Sequence, residues 1–178
     1  MRMFVGCSSM EDIPSRYIND CRNILNELFK RNYDLVFGAC SKGIMGLAYD
    51  CALDNNKNII GIYPDIYEDE AKNLCCSKIS VRNVCERTNQ LIENSDILLF
   101  MPGGIGTIYE LFSVIEYKRG LEFDKPIIIY NSCGYFDRLL GFIELMKEEN
   151  FVSNETLSNY YVCDNIDDML GYIDNYYK

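Results

Sequence analysis

Apolar and polar positions alternate along the chain in a way that separates strands from helices. MFVGC (3–7), YDLVFG (33–38), NIIGIY (58–63), DILLFM (96–101), KPIIIYN (125–131) and NYYVC (159–163) are short apolar runs rich in β-branched and aromatic residues, the pattern of strands. Between them the period changes. Over 15–30, Tyr17, Cys21, Ile24, Leu25 and Leu28 recur at three- and four-residue spacing, which predicts an amphipathic helix. Helices are likewise predicted over 43–55 and 83–95, the second with Val84, Leu91 and Ile92 on one face, and over 107–118, 135–149 and 166–177. Residues 65–80 show no clear period and are expected to form a loop, with room for one short strand.

Strand and helix alternate with no hairpin signal between strands, which requires parallel strands joined by crossovers. The run 96–101 is apolar at every position, as the centre of a parallel sheet covered on both faces demands. The expected fold is therefore α/β, one doubly wound, mostly parallel sheet with helices on both faces. No linker, repeat or low-complexity stretch divides the chain, so residues 1–178 are expected to form a single domain. In such sheets a ligand lies beyond the carboxyl ends of the strands, where strand order reverses.

Composition narrows the chemistry. The 48% apolar and 25% charged content is that of a globular protein, and no run of eighteen apolar residues predicts a membrane span. The first residues carry too short an apolar segment for a secretory signal, so the expected location is the cytoplasm. Nine cysteines are scattered without a CxxC pair, and there is no histidine to complete a mixed zinc site, so they are expected to be reduced thiols and no metal is expected. The missing histidines also exclude a Ser-His-Asp triad and leave acid–base work to carboxylates, Cys, Lys or Tyr. A formal net charge of −10 argues against binding long nucleic acids, but not against a small phosphorylated ligand held by local amides and an arginine.

Two glycine-rich turns stand at strand-to-helix junctions, where phosphate cradles belong. In VFGACSKGIMG, Gly38 and Gly43 have the spacing of a Walker A loop, yet Ile44 and Met45 stand where Lys and Ser/Thr are needed. In MPGGIGTIYE, Gly104 and Gly106 begin a dinucleotide fingerprint whose third glycine is replaced by Tyr109. Triphosphate and dinucleotide readings both fail, and no cofactor is expected. What remains is a pair of turns, at neighbouring strand ends, whose free backbone N–H groups suit a monophosphate. Thr107 can add a hydroxyl and cap the following helix. Glu110, one turn into that helix, is expected near the mouth of the cradle, where a carboxylate could bind ribose hydroxyls, activate water or stabilise an oxocarbenium-like centre.

PGGIGTIYE (102–110) resembles the PGGxGTxxE motif of the LOG (Lonely Guy) proteins, long labelled lysine decarboxylases. The resemblance runs almost end to end, through GCSS after the first strand, SKGIMG after the second, ER before the central strand, and DKP and GYFDRLLGFI later. It implies a Rossmann-like homodimer that hydrolyses the N-glycosidic bond of nucleoside 5′-monophosphates, cytokinin ribotides included. By that resemblance Glu110 and Arg87 take the catalytic positions, and Ser8, Ser41, Gly43, Gly103, Gly104, Gly106 and Thr107 bind phosphate and ribose. Read without it, Arg87 would be a surface cation paired with Glu86 or Glu93. The chain departs from the family pattern at Ala39 and Cys40, Cys85, Thr88, Tyr117 and Arg119, which leaves the base open. No lysine stands in a pyridoxal phosphate setting.

The expected activity is thus metal-independent hydrolysis of a nucleoside 5′-monophosphate to free base and ribose 5-phosphate. The rival expectation is a non-catalytic sensor or carrier of nucleotides on the same fold. A dinucleotide-dependent oxidoreductase is disfavoured by the broken fingerprints.

Overall fold

The computed structural model describes residues 1–178. Seven strands are present: β1 (Arg2–Gly6), β2 (Asp34–Phe37), β3 (Ile59–Pro64), β4 (Ser77–Val81), β5 (Ile97–Phe100), β6 (Ile127–Tyr130) and β7 (Tyr161–Cys163). They form one sheet in the order β4-β3-β2-β1-β5-β6-β7, and every pairing is parallel. The helices are α1 (Ser15–Lys30), α2 (Gly43–Asp54), α3 (Glu68–Ala71), α4 (Val84–Glu93), α5 (Ile105–Arg119), α6 (Asp137–Glu148), α7 (Asn154–Leu157) and α8 (Ile166–Tyr176). The fold is the doubly wound α/β class expected from the alternation. No helix is long and apolar enough to cross a membrane.

The period of two in the strands divides the core. Met3 and Val5 of β1, with Ile97 and Leu99 of β5, face α1, α2 and α8. Phe4, Leu98 and Phe100 face the opposite layer, with Leu91 and Ile92 of α4 and Leu111 and Val114 of α5. Each of these side chains removed from water stabilises the fold by about 1.5–3 kcal/mol, which is why strands apolar at every position sit at the sheet centre.

Residues 65–80 are more ordered than their sequence suggests. A 3₁₀ turn (Asp65–Tyr67) runs into α3, and β4 then pairs with β3 over five residues, from Ile60 opposite Ser77 to Pro64 opposite Val81. As an edge strand β4 is mostly exposed, and its alternation is carried by only two apolar residues, Ile79 and Val81, too few to read from the sequence. The short α7 was also not anticipated; Ser153 caps it by accepting from the Thr156 N–H.

The chain winds outward from β1 to β4, then returns to lay β5 beside β1 and winds outward again to β7. Strand order therefore reverses between β1 and β5, which fixes where a ligand cleft opens. The two glycine-rich turns do not follow adjacent strands, as the sequence suggested. They follow β2 and β5, and the loop after β1 lies between them.

Candidate active site

A cleft of about 460 Å³ lies at that reversal, within the range of small-ligand sites. Its walls are the loop after β1 (Cys7, Ser8, Ser9, Met10), the turn after β2 (Gly38, Cys40) with Met45 of α2, the segment before β4 (Tyr67, Glu70), and the first turns of α4 and α5.

Of the residues expected at a site, Arg87, Glu110, Ser8, Gly104, Gly106 and Thr107 line the cleft together. Ser41, Gly43 and Gly103 do not, and their surroundings explain why the chain uses small residues there. Gly43 has a left-handed φ of +60°, and a Cβ on it would lie 2.4 Å from the Met10 carbonyl oxygen. Its smallness lets α2 pass beneath the β1 loop, where the Met45 N–H reaches the Ser8 carbonyl at 3.0 Å. A Cβ on Gly103 would fall 2.1 Å from Thr107 Oγ1. Ser41 is exposed, and its carbonyl backs directly onto Gly46.

α5 begins at Ile105, with Gly104 as its N-cap and no side chain closing the end. Thr107, buried in the third helical position, is not the cap. The first helical hydrogen bond runs from the Ile108 N–H to the Gly104 carbonyl at 3.0 Å, so the N–H groups of Ile105, Gly106 and Thr107 have no acceptor within the helix. Gly104 and Gly106 have open space where a Cβ would stand. The positive end of a fifteen-residue helix thus meets the cleft bare.

Glu110 is not at the mouth but in the floor, only 7% exposed. It shares the inward stripe of α5 with Thr107, Leu111 and Val114. Arg87 comes from α4, whose start is fixed by Asn83 accepting from the Glu86 N–H at 2.9 Å. Its Nη2 donates to Glu110 Oε1 at 2.5 Å. The surface pairings are absent, because Glu86 accepts from the Arg82 N–H and Glu93 from Gln90 Nε2. Arg87 Nε is buried and has no partner, a donor aimed at nothing in the protein. Burial pushes the Glu110 carboxyl above its ordinary value, against the opposing pull of the Arg87 charge and hydrogen bond.

Burial likewise pushes the Cys7 thiol well up, so it lines the cleft as a small hydrophobe. All nine cysteines are free, and no group of three or more metal-ligating side chains is placed to hold a metal ion. Cys85, Thr88, Tyr117 and Arg119, which depart from the family pattern, stay out of the cleft. Thr88 is buried with its hydroxyl on the Val84 carbonyl, and Arg119 pairs with Glu116 on the surface. Tyr67 and Glu70 were missed at the sequence level because their segment has no period to place it. Met45 was missed because it lies in the first turn of α2 among the glycines of VFGACSKGIMG, and Met10 because it lies in the polar loop after β1, which carries no glycine pattern.

Fold and cleft define a Rossmann-like α/β protein with an anion-seeking helix end beside a buried carboxylate–guanidinium pair. The chain belongs to the LOG family: the family model described as "Possible lysine decarboxylase" matches residues 45–173. The cytokinin riboside 5′-monophosphate phosphoribohydrolases LOG3 and LOG4 of Arabidopsis thaliana are each 34% identical to it over 154 residues, covering 85% of this chain and 72% of theirs. In solved structures the fold recurs in the molybdenum cofactor carrier protein of Chlamydomonas reinhardtii, with a TM-score of 0.74 at 16% identity, covering 98% of this chain and 96% of that one. It recurs also in DNA processing protein A of Streptococcus pneumoniae, with a TM-score of 0.63 at 12% identity over 97% of this chain and 61% of that one. At those identities the likeness is one of fold.

Proposed function

We propose that the protein hydrolyses the N-glycosidic bond of nucleoside 5′-monophosphates, AMP-like or cytokinin ribotides, to free base and ribose 5-phosphate. The observation that carries this reading is the Arg87–Glu110 pair in the floor of a cleft whose wall is the uncapped end of α5. The 5′-phosphate is held by the free N–H groups of Ile105, Gly106 and Thr107, with the Ser8 and Thr107 hydroxyls beside them. The ribose then lies over Glu110. Met10, Met45, Val84 and Tyr67 supply apolar surface for the base.

The C1′–N bond breaks with its electron pair leaving on the base nitrogen, which takes up a proton. A water oxygen bonds to C1′ and gives up a proton. Positive charge develops on the sugar between these events, and the Glu110 carboxylate stabilises it while accepting from the ribose hydroxyls. Arg87 holds that carboxylate ionised and oriented, and its unpaired Nε offers a donor to a substrate oxygen. Binding of the phosphate supplies remote energy for placing the sugar, so a nucleoside without it is a very poor substrate.

Incubation with a panel of nucleoside monophosphates, followed by chromatography for free base, tests the reading, with Glu110→Gln as control. Base release that depends on Glu110 supports it. Binding without release points instead to a sensor or carrier, and equal turnover of adenosine and AMP sinks the phosphate cradle. We also take the protein to be a homodimer. Ile105, Tyr109 and Phe112, exposed at helical spacing on α5, offer an apolar face for a second copy, and sedimentation equilibrium tests this.

A further inference from the structure

The turn after β6 is built from many ties. Cys133 and Gly134 are both left-handed, with φ of 49° and 72°, and such backbone in a non-glycine residue persists only where its surroundings enforce it. Asn131 Oδ1 accepts from the Phe136 N–H, and Asn131 Nδ2 donates to Asp137 Oδ1, both at 2.7 Å. The Ser132 hydroxyl donates to Asp20 of α1 at 2.5 Å, and the Tyr130 hydroxyl donates to the same oxygen at 2.9 Å. These ties present one side chain, Tyr135. Its ring stands edge-on to Tyr17 and to Phe136, with centroids 5.4 Å and 5.0 Å away. Its hydroxyl donates to the Gly103 carbonyl at 2.7 Å.

Gly103 is glycine for want of room beside Thr107, and Gly104 faces open space. A peptide between two glycines turns over at little cost, so space and rigidity conflict here. Turned over, it would present a carbonyl oxygen to a bound anion. In a planar trans peptide the N–H points opposite to the C=O, so whatever holds the Gly103 carbonyl also aims the Gly104 N–H. The flanking carbonyls are tied too: Pro102 accepts from the Ser8 N–H at 3.0 Å, and Gly104 from the Ile108 N–H.

We propose that Tyr135 is the positioning residue of the anion cradle, holding the peptide between Gly103 and Gly104 so that the Gly104 N–H joins the free amides of α5. This rests on the reading that a substrate phosphate occupies that helix end. Nothing in the loop itself supplies this hold, so it comes from outside.

Tyr135→Phe keeps the ring and removes the hydroxyl; Tyr17→Phe removes a neighbouring hydroxyl that does not touch Gly103. For the full chain, calorimetric Kd for ribose 5-phosphate and for inorganic phosphate is measured alongside kcat and KM. In Tyr135→Phe both Kd values and the KM for a nucleoside monophosphate rise about 5-fold, the worth of one hydrogen bond, while kcat changes by less than about twofold. Inhibition by adenosine, which lacks the phosphate, is unmoved, and Tyr17→Phe behaves as wild type. Unchanged phosphate affinity in Tyr135→Phe overturns the proposal and leaves the cradle standing. An equal loss of adenosine affinity also overturns it, because the tyrosine would then act on the whole fold. A wild-type protein that binds neither ribose 5-phosphate nor phosphate overturns the cradle itself, and the role of Tyr135 with it.

Discussion

Arg87 Nη2 lies 2.5 Å from Glu110 Oε1, although the two residues are 23 apart in the chain and their side chains are only 15% and 9% exposed. An ion pair so withdrawn from water brings little net stability, because desolvation of both charges offsets their attraction. Its retention in the floor of a cleft is better explained by chemistry. Glu110→Gln is expected to lower kcat for base release by about 10²-fold or more, with a smaller change in KM. Glutamine is close to an isostere of the neutral acid, which burial makes the fold favour over the carboxylate, so the unfolding free energy at neutral pH should not fall. Steady-state kinetics and urea unfolding on the same preparations check both. Full activity in Glu110→Gln would remove the carboxylate from the mechanism.

The same carboxyl predicts a pH dependence. Burial raises it above its ordinary value of 4.5, and Arg87 opposes that rise without cancelling it. With a raised pKa the folded protein binds the proton more readily than the unfolded chain does. The stability this contributes is complete below the unfolded value and is lost as pH rises through the folded value. The ionised form is the one that can stabilise a cationic sugar, so activity is gained over the interval in which that stability is lost. The kcat/KM profile should therefore have an ascending limb centred above 4.5. Arg87→Gln removes the two influences that lower the value, so its residual activity should show the limb at higher pH. Movement of the limb to lower pH in that variant would contradict the assignment.

Much of this architecture was legible in the chain because buried parallel strands leave apolar runs that nothing else explains. The runs at 96–101 and 125–131 marked β5 and β6, and the spacing of Cys21, Ile24, Leu25 and Leu28 marked α1. Where burial is one-sided or absent the signal fades, as in β4 at the sheet edge. The site was legible as residue types and not as depth. Glycine spacing located the turns, yet it could not tell Gly104, open to the cleft, from Gly103 and Gly43, which exist for close packing. Glu110 is deeper than expected because its position on α5 follows the apolar stripe, and a lone carboxylate does not reveal that a partner from α4 waits there.

That distinction between glycines can be tested directly. A methyl group on Gly103 would meet Thr107 Oγ1 at 2.1 Å and Thr107 Cβ at 2.5 Å, and Thr107 is too buried to move aside. Gly103→Ala is therefore expected to destabilise the fold by about 1–3 kcal/mol through overpacking. Gly104→Ala meets nothing within 4 Å and keeps an ordinary φ of −87°, so its unfolding free energy should stay within about 0.5 kcal/mol of wild type. Its methyl group stands where the phosphate is proposed to approach, and KM should rise with stability intact. Thermal melts and KM values for both variants give the comparison. Wild-type KM in Gly104→Ala would place the phosphate elsewhere.

At the far end of α5 the chain carries a correctable strain. Gly120 is the C-cap, the Leu121 N–H reaches the Lys118 carbonyl at 3.0 Å, and the Glu122 N–H reaches the Tyr117 carbonyl at 3.1 Å. Those two bonds make a Schellman motif, whose left-handed position favours glycine. Here Leu121 holds it, at φ 60°, and with 91% exposure its side chain returns almost nothing. Leu121→Gly relieves the contact between Cβ and backbone but gives the unfolded chain more freedom, so the net gain should be about 0.5–1 kcal/mol. For a chain of this length that raises the melting midpoint by roughly 1–4 °C. Leu121→Ala keeps the Cβ and should gain nothing. The site lies a full helix length from the cleft, so kcat and KM should be those of wild type in both variants. A melting midpoint that rises equally in Leu121→Ala would show that the exposed leucyl group, not the backbone, was the source of the strain.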